Sequence, residues 1–410
     1  MLKKKFILIL LIFNVLFSAG MTFAYWASSI QGQSQNSNGQ INIGDWGTPI
    51  FTPLEFYQFV DRVSVSTDKY YLANDIDFSS FTWNPIVATR VFRGTLNGNG
   101  KTISNLTIDY NSSAIAYSGI FPRLDGATIT DLSLNNVQIV SYLSTQGRVA
   151  GLISGDAYNG KTVNLSYITI TNSGVQGNSN SGVGGLIGFV TGTNTKIIMN
   201  NIKATNLKVF NILAYAGGLI GTVAANSILE FYDVDFVGEA YAYPASSYVG
   251  GLIGYALRNS YVTIERALVE ASFQNTLVNA APYTGLFTSR YLGGIFGRHN
   301  TASNRSILTD VYYTGSLYNG VQNRRTDVGT VSGLDSTLST LTRVNYARVG
   351  FRDGSENLTY VVLAATGQMS TVVNPDNVTF PTTYWNTLFS QMDPLVWTQS
   401  SSNTRPYLIR

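Results

Sequence analysis

The five residues Gly217-Gly218-Leu219-Ile220-Gly221 recur along this chain at a nearly constant interval, and that recurrence limits what the chain can fold into. Close copies stand at Gly184-Gly185-Leu186-Ile187-Gly188, Gly250-Gly251-Leu252-Ile253-Gly254 and Gly293-Gly294-Ile295-Phe296-Gly297. Looser ones stand at Ser118-Gly119-Ile120-Phe121, Ala150-Gly151-Leu152-Ile153 and Val328-Gly329-Thr330-Val331. Successive second glycines are 32, 34, 33, 33, 43 and 35 residues apart. Such a period belongs to stacked units, none of which can bury its apolar face alone.

A second ladder runs in phase. Ile103-x-x-Leu106-x-Ile108 returns as Ile129-x-x-Leu132-x-Leu134, Leu165-x-x-Ile168-x-Ile170, Met199-x-x-Ile202-x-Ala204 and Phe231-x-x-Val234-x-Phe236. It continues as Ile264-x-x-Ala267-x-Val269, Leu308-x-x-Val311-x-Tyr313 and Leu341-x-x-Val344-x-Tyr346. A side-chain period of two cannot cross a three-residue step without a bend, so each copy reads as strand, corner, strand. Asn105, Asp131, Asn201, Asp233 and Asp310 stand just before the middle apolar residue. Asn and Asp tolerate left-handed backbone angles and suit a corner. The two ladders predict an all-β solenoid of about seven or eight coils, its paired glycines allowing positive φ and close approach of coils. A phosphate-cradling loop is excluded, because no amphipathic helix follows the glycines.

The Gly-Gly-Leu-Ile-Gly units resemble the GLUG repeat of bacterial surface proteins and large adhesins. Tyr71-Leu72-Ala73-Asn74-Asp75-Ile76-Asp77, Trp83-Asn84-Pro85-Ile86 and the run Phe92 to Ile103 are similar to the segment that opens their right-handed parallel β-helix. Tyr384-Trp385 through Trp397 to Pro406-Tyr407-Leu408 resembles its close. The resemblance covers roughly residues 50 to 410. It implies a fold and a surface location, and it carries no catalytic residue across.

The chain opens with Met1-Leu2-Lys3-Lys4-Lys5, an apolar run from Phe6 to Phe17 and small residues to Ala24, the pattern of a cleaved secretory signal. The run is shorter than a bilayer-spanning helix requires, so no membrane insertion is expected after cleavage. Thr22-Phe23-Ala24-Tyr25-Trp26, with Gly39-Gln40-Ile41-Asn42-Ile43 behind it, resembles the export signals of Gram-positive biofilm matrix fibre and camelysin-type proteins. Expected divisions are a signal at 1–24, a flexible mature N-terminus at 25–48, a β-helix with its N-terminal cap at 49–373 and an aromatic-rich C-terminal cap at 374–410. Apolar residues at 56, 59, 60 and 63 predict a short helix over the edge of the first coil.

Removing the three signal lysines from 26 basic residues leaves 23 against 23 acidic ones. No basic stripe remains to suggest nucleic acid. Cysteine is absent, which excludes disulfides, thiol catalysis and Cys-based zinc sites. Charged residues are only 12% of the chain while tyrosines number 25, a composition suited to a secreted β protein.

One step of the glycine ladder carries about ten extra residues, within Asn275 to Tyr291. Insertions in solenoids fall in loops, and Tyr283, Phe287, Arg290 and Tyr291 are types enriched at binding hot spots, so this stretch is the candidate recognition loop. No catalytic, cofactor or metal residue is assigned. His299, the one histidine, reads as a surface loop residue. Asp75/Asp77 and Asp233/Asp235 are spaced to share a strand face, but the opening segment and the corner ladder account for all except Asp235. No column of acids and bases spanning several coils is evident.

These readings point to a secreted, non-enzymatic, extracellular or cell-surface protein. It would be adhesin-like and present a Tyr-, Asn- and Thr-rich face to glycans, surface proteins or like chains. The alternative is a β-helical polysaccharide lyase or glycoside hydrolase, since fold alone does not decide function.

Overall fold

A computed structural model describes residues 47–313, except 63–66, 111–115, 142–148, 243–246, 274–290 and 301–305. Beyond these it describes strands within 316–361 and the residues 394, 397–401 and 405–408. All belong to one compact unit, Trp46–Arg410. The signal segment, the mature N-terminus up to residue 46 and most of the candidate recognition loop lie outside the described residues, while Thr48, expected in the flexible N-terminus, already pairs with Tyr70.

The chain winds into a parallel β-solenoid. Each coil contributes a long strand to a large sheet, such as Lys196–Asn211, Ile228–Ala242 and Tyr261–Phe273. It then adds a short strand to a seven-stranded sheet, such as Tyr215–Gly217 or Tyr248–Gly250, and another to an eight-stranded sheet, such as Ile220–Val223 or Ile253–Ala256. Neighbouring coils pair in parallel and in register, with Met199 opposite Phe231 and Phe231 opposite Ile264. Five turns separate the well-paired strand Thr128–Asn135 from Ser306–Tyr313, fewer than the seven or eight coils expected. Outside that body the copies give shorter strands. The large sheet finishes on an antiparallel strand, Leu358–Val361, which breaks the coil pattern.

The core is built of columns. Leu165, Met199, Phe231, Ile264 and Leu308 stack through successive coils with no solvent exposure. Each such side chain stabilises the fold by about 1.5–3 kcal/mol relative to an exposed one. Because a coil completes its burial only against its neighbours, stability is shared between coils.

The corner reading holds in its chemistry. Asp131, Asn201, Asp233 and Asp310 have φ of 53°, 55°, 56° and 55°. Tyr167 and Arg266 occupy the same place in their copies at 53° and 58°, although neither favours that conformation. Asn105 belongs elsewhere. Ile103 pairs with Leu134 rather than Ile129, so the first copy of the ladder aligns one corner downstream. There Asn105, Asn136, Asn172 and Asn206 all have positive φ. Asn136 donates to the Asn105 side-chain oxygen and Asn206 to that of Asn172, each at 2.9 Å. The misalignment arises because two successive corners share one apolar spacing.

The paired glycines require a different correction. Positive φ occurs at Gly47, Gly100, Gly126, Gly160, Gly182 and Gly192, none of them in the paired positions of the ladder. Close approach is what excludes a side chain at those positions. A Cβ on Gly218 would sit 2.0 Å from the Gly251 carbonyl oxygen and 2.5 Å from the Phe236 ring. Coil stacks on coil through bare backbone.

The N-terminal cap is a helix, α1 (Pro53–Arg62). Its start is a reciprocal capping pair. Glu55 N–H donates to Thr52 Oγ1 at 3.2 Å, and Glu55 Oε2 accepts from the N–H groups of Phe51 and Thr52 at 2.7 and 3.1 Å. Phe56, Phe59 and Val60 are buried. Phe56 meets Phe78 and Trp83, while Phe59 meets Phe92 and Phe121, so the helix closes the open end of the core.

At the far end, Trp397–Thr398 and Tyr407–Leu408 form a two-stranded antiparallel pair. This described part of the expected cap lies along the flank of the middle coils. Arg405 Nη2 is 2.7 Å from Asp235 Oδ1 and Arg405 Nε is 3.0 Å from Glu270, two residues on adjacent large-sheet strands. Trp397 and Leu408 are buried. Leu268, on the outer side of the large sheet beside Asp235, is fully buried too.

Candidate functional site

The two short sheets meet at a corner where their strands touch through glycine. A Cβ on Gly254 would lie 2.9 Å from the Ala216 carbonyl carbon, and one on Gly221 would lie 2.5 Å from the Val183 nitrogen. Such closeness brings the outward side chains of both sheets beside one another on one surface.

On the seven-stranded side, Tyr215, Tyr248 and Tyr291 stand in register. Their rings follow one another, stacked between Tyr215 and Tyr248 with centroids 5.2 Å apart and tilted by 40° between Tyr248 and Tyr291 with centroids 5.0 Å apart. That separation follows the roughly 4.8 Å spacing of paired strands. On the eight-stranded side, Arg123, Asp156, Phe189, Thr222, Tyr255 and Arg298 form one column in register. Tyr255 packs edge-on to Tyr215 at 5.0 Å and lies 5.2 Å from Tyr248. Arg298 completes the cluster. Its guanidinium carbon is 5.1 Å from the Tyr248 ring centre and 5.2 Å from that of Tyr255, and Nη1 donates to Tyr248 Oη at 2.7 Å. All five side chains are partly exposed. Burial, with help from the neighbouring tyrosines, holds the Tyr215 phenol above its ordinary pKa.

The other end of the corner is charged. Arg123 donates from Nη2 and Nε to Asp156 Oδ2 at 2.8 and 3.0 Å, and its guanidinium lies over Tyr158 at 3.4 Å and Tyr117 at 4.8 Å. Thr191 donates to the other Asp156 oxygen at 2.7 Å. Burial of Asp156 outweighs these bonds and raises its carboxyl pKa. Nearby on the same flank, Asp125 accepts from Arg93 at 2.6 Å and Asn159 at 3.2 Å, with Lys161 at 3.6 Å. Burial opposes ionisation of Asp125 too, but those hydrogen bonds and the Lys161 and Arg93 charges prevail and lower its pKa. Acids and bases therefore do run over three coils here, which the sequence reading did not find.

The candidate loop residues divide. Tyr283, Phe287 and Arg290 lie outside the described residues. Tyr291 is on strand Tyr291–Gly293, not in a loop, and continues the tyrosine stack. His299 is also not a surface residue: it is fully buried on strand Phe296–His299, against Phe296 and hydrogen-bonded to Ser306. In its column Ala157, Val190, Val223 and Ala256 point inward. Asp235 is engaged by Arg405, and Asp233 by Arg266. Among the described residues no group of three or more His, Asp or Glu is placed to hold a metal ion.

The rest of the corner was readable. Tyr215, Tyr248 and Tyr291 each stand two residues before the first glycine of their repeat, and Phe189, Thr222, Tyr255 and Arg298 each directly follow the last.

No protein-family profile matches this chain. Halomucin of Haloquadratum walsbyi is 30% identical over 199 residues, 45% of this chain but only 2% of that protein's length. A crystal structure from Bacteroides ovatus, described as a candidate immunoglobulin A1 protease, aligns over 88% of this chain and 91% of its own, with a TM-score of 0.52 and 16% identity. The likeness is one of fold.

Proposed function

We propose that this chain is a secreted surface or matrix protein of the GLUG-repeat kind. It acts without turnover as an adhesin-like module that holds glycans along the corner between its two short sheets. The observation that carries this reading is the stack Tyr215–Tyr248–Tyr291 with Tyr255 beside it. Partly exposed tyrosines repeated at the coil spacing offer a ring edge and a hydroxyl at every step, which suits a polymer of hydroxylated rings. The resemblance to Halomucin supports a location at the surface. Among the described residues no helix is long and apolar enough to cross a membrane. Retention of the full chain on immobilised polysaccharide, lost in Tyr248→Ala, tests the reading.

A second reading has its own support. Asp156, with its pKa raised, and Asp125, with its pKa lowered, lie on one flank beside Arg123, and carboxyls displaced in opposite senses suit acid and base roles. Both carboxylates are, however, held by cations and hydrogen bonds within the fold. Release of new reducing or unsaturated ends from a polysaccharide, abolished in Asp156→Asn, would favour this enzyme reading.

A further inference from the structure

We infer that the tyrosine corner is selective for acidic glycans, with the carboxylate of a uronic-acid type of sugar received by Arg298. The inference rests on the glycan-binding reading and names the ligand class for that site.

Arg298 stands on an outer strand face with no counter-ion among the described residues. Arg123 and Arg266 on outer strand faces, and Arg405 of the docked tail, each lie within 3.0 Å of an Asp or Glu oxygen. Among the described residues Arg298 makes no ion pair. Its polar contact is the phenol oxygen of Tyr248. Arg123 shows what this register position does when paired. It too lies over two tyrosine rings, but Asp156 in the next coil of the same column neutralises it. The next residue after Arg298 in that column is Leu334, so no acid stands in register where Asp156 follows Arg123, and the residue before Arg298 is Tyr255.

Two aromatic rings and one hydroxyl hold the guanidinium of Arg298, and among the described residues no carboxylate takes its remaining N–H groups. Arginine pairs with planar carboxylates through parallel N–H donors, and holding the fork in place beforehand reduces the ordering cost of binding. The tyrosine edges and hydroxyls supply contact area on the same surface, so one sugar ring would lie across Tyr248 and Tyr255 while its carboxylate meets Arg298. Sulfate or phosphate groups offer similar oxygens, but a ring-borne carboxylate matches both the repeated tyrosines and the single guanidinium.

The test compares polygalacturonate with its fully methyl-esterified form, which keeps the sugar chain and removes the charge. Binding of the full chain to each is measured by calorimetry and affinity electrophoresis at low and high salt. Wild type should bind the acid form at least tenfold more tightly than the ester, with the difference shrinking as salt rises. Arg298→Gln should bind the acid form as weakly as wild type binds the ester, and Arg298→Lys should recover part of the difference. Equal binding of both forms by wild type would overturn acid selectivity and leave the glycan reading in place. Binding of neither form would overturn both. Undiminished acid binding by a folded Arg298→Gln would also overturn the assignment. Should Arg298→Gln fail to fold, the wild-type comparison of acid and ester decides.

Discussion

Arg266 sits at φ 58° in the coil after Asp233, and its guanidinium takes both carboxylate oxygens of that residue, Nε to Oδ1 at 2.7 Å and Nη2 to Oδ2 at 3.1 Å. A left-handed conformation costs a non-glycine residue roughly 1–2 kcal/mol. The two-point ion pair, which also holds the Arg266 pKa high, offsets that cost. Arg266→Ala keeps the strain and loses the pair, so it should lower stability by about 1–3 kcal/mol in urea unfolding. Arg266→Asn, which favours this backbone, should lose less than half as much. Equal losses would show that the backbone angle is not strained.

Gly218→Val and Gly251→Val should each destabilise the solenoid by about 3 kcal/mol or more, because the new Cβ falls on a neighbouring coil's carbonyl oxygen 2.0 Å away in both cases. Even alanine brings this clash, so Gly218→Ala should share most of the effect. Thermal unfolding that matched wild type would show that the coils can separate without cost.

The class of fold was legible because a 33-residue period and a strand-corner-strand pattern agree with each other. Helix α1 was legible from its apolar spacing. The use of the glycines was not. Sequence shows only that a side chain is forbidden, and both positive φ and close approach forbid one. Asn105 was misplaced because two successive corners carry the same spacing. His299 was misread because a lone histidine gives no periodic signal, whereas its column of Ala157, Val190, Val223 and Ala256 would have marked it as inward-facing. The tyrosine corner had a signal in the positions flanking each glycine unit, but that the two positions face each other is a property of the bend.

Burial raises the Asp156 carboxyl above its ordinary value of 3.8. A carboxyl with a higher pKa folded than unfolded binds its proton more tightly in the fold, so ionisation costs stability as pH rises through that window. Asp125 has the opposite sign, and the stability it contributes is lost as pH falls through its lowered folded value. Urea midpoints of wild type and Asp156→Asn should therefore shift in the variant's favour as pH rises from about 4 through the raised folded value. A difference that stays flat over this range would show that Asp156 is not destabilised by burial.

Arg405→Ala leaves Asp235, whose side chain is 3% exposed, without its cation. Breaking such a pair costs about 3–5 kcal/mol if the carboxylate stays buried, so the tail should come away instead and expose Leu268. Limited proteolysis should then cut the C-terminal residues well before the solenoid body. Cleavage at the wild-type rate would mean that the ion pair does not hold the tail.

Thr52→Ala removes the oxygen that accepts from Glu55 N–H and should cost about 1 kcal/mol. Hydrogen exchange should show that loss in α1, and uniform change across all coils would indicate that the helix melts only with the whole solenoid.

Polysaccharide binding by wild type and Tyr248→Ala, with soluble products assayed in the same samples, decides between holding and cutting a glycan. Binding by wild type with no new reducing or unsaturated ends is expected. Tyr248→Ala should bind at least tenfold more weakly while its Tm falls by no more than about 4 °C. Unchanged binding by Tyr248→Ala, or steady release of chain ends by wild type, would contradict a non-enzymatic glycan-binding corner.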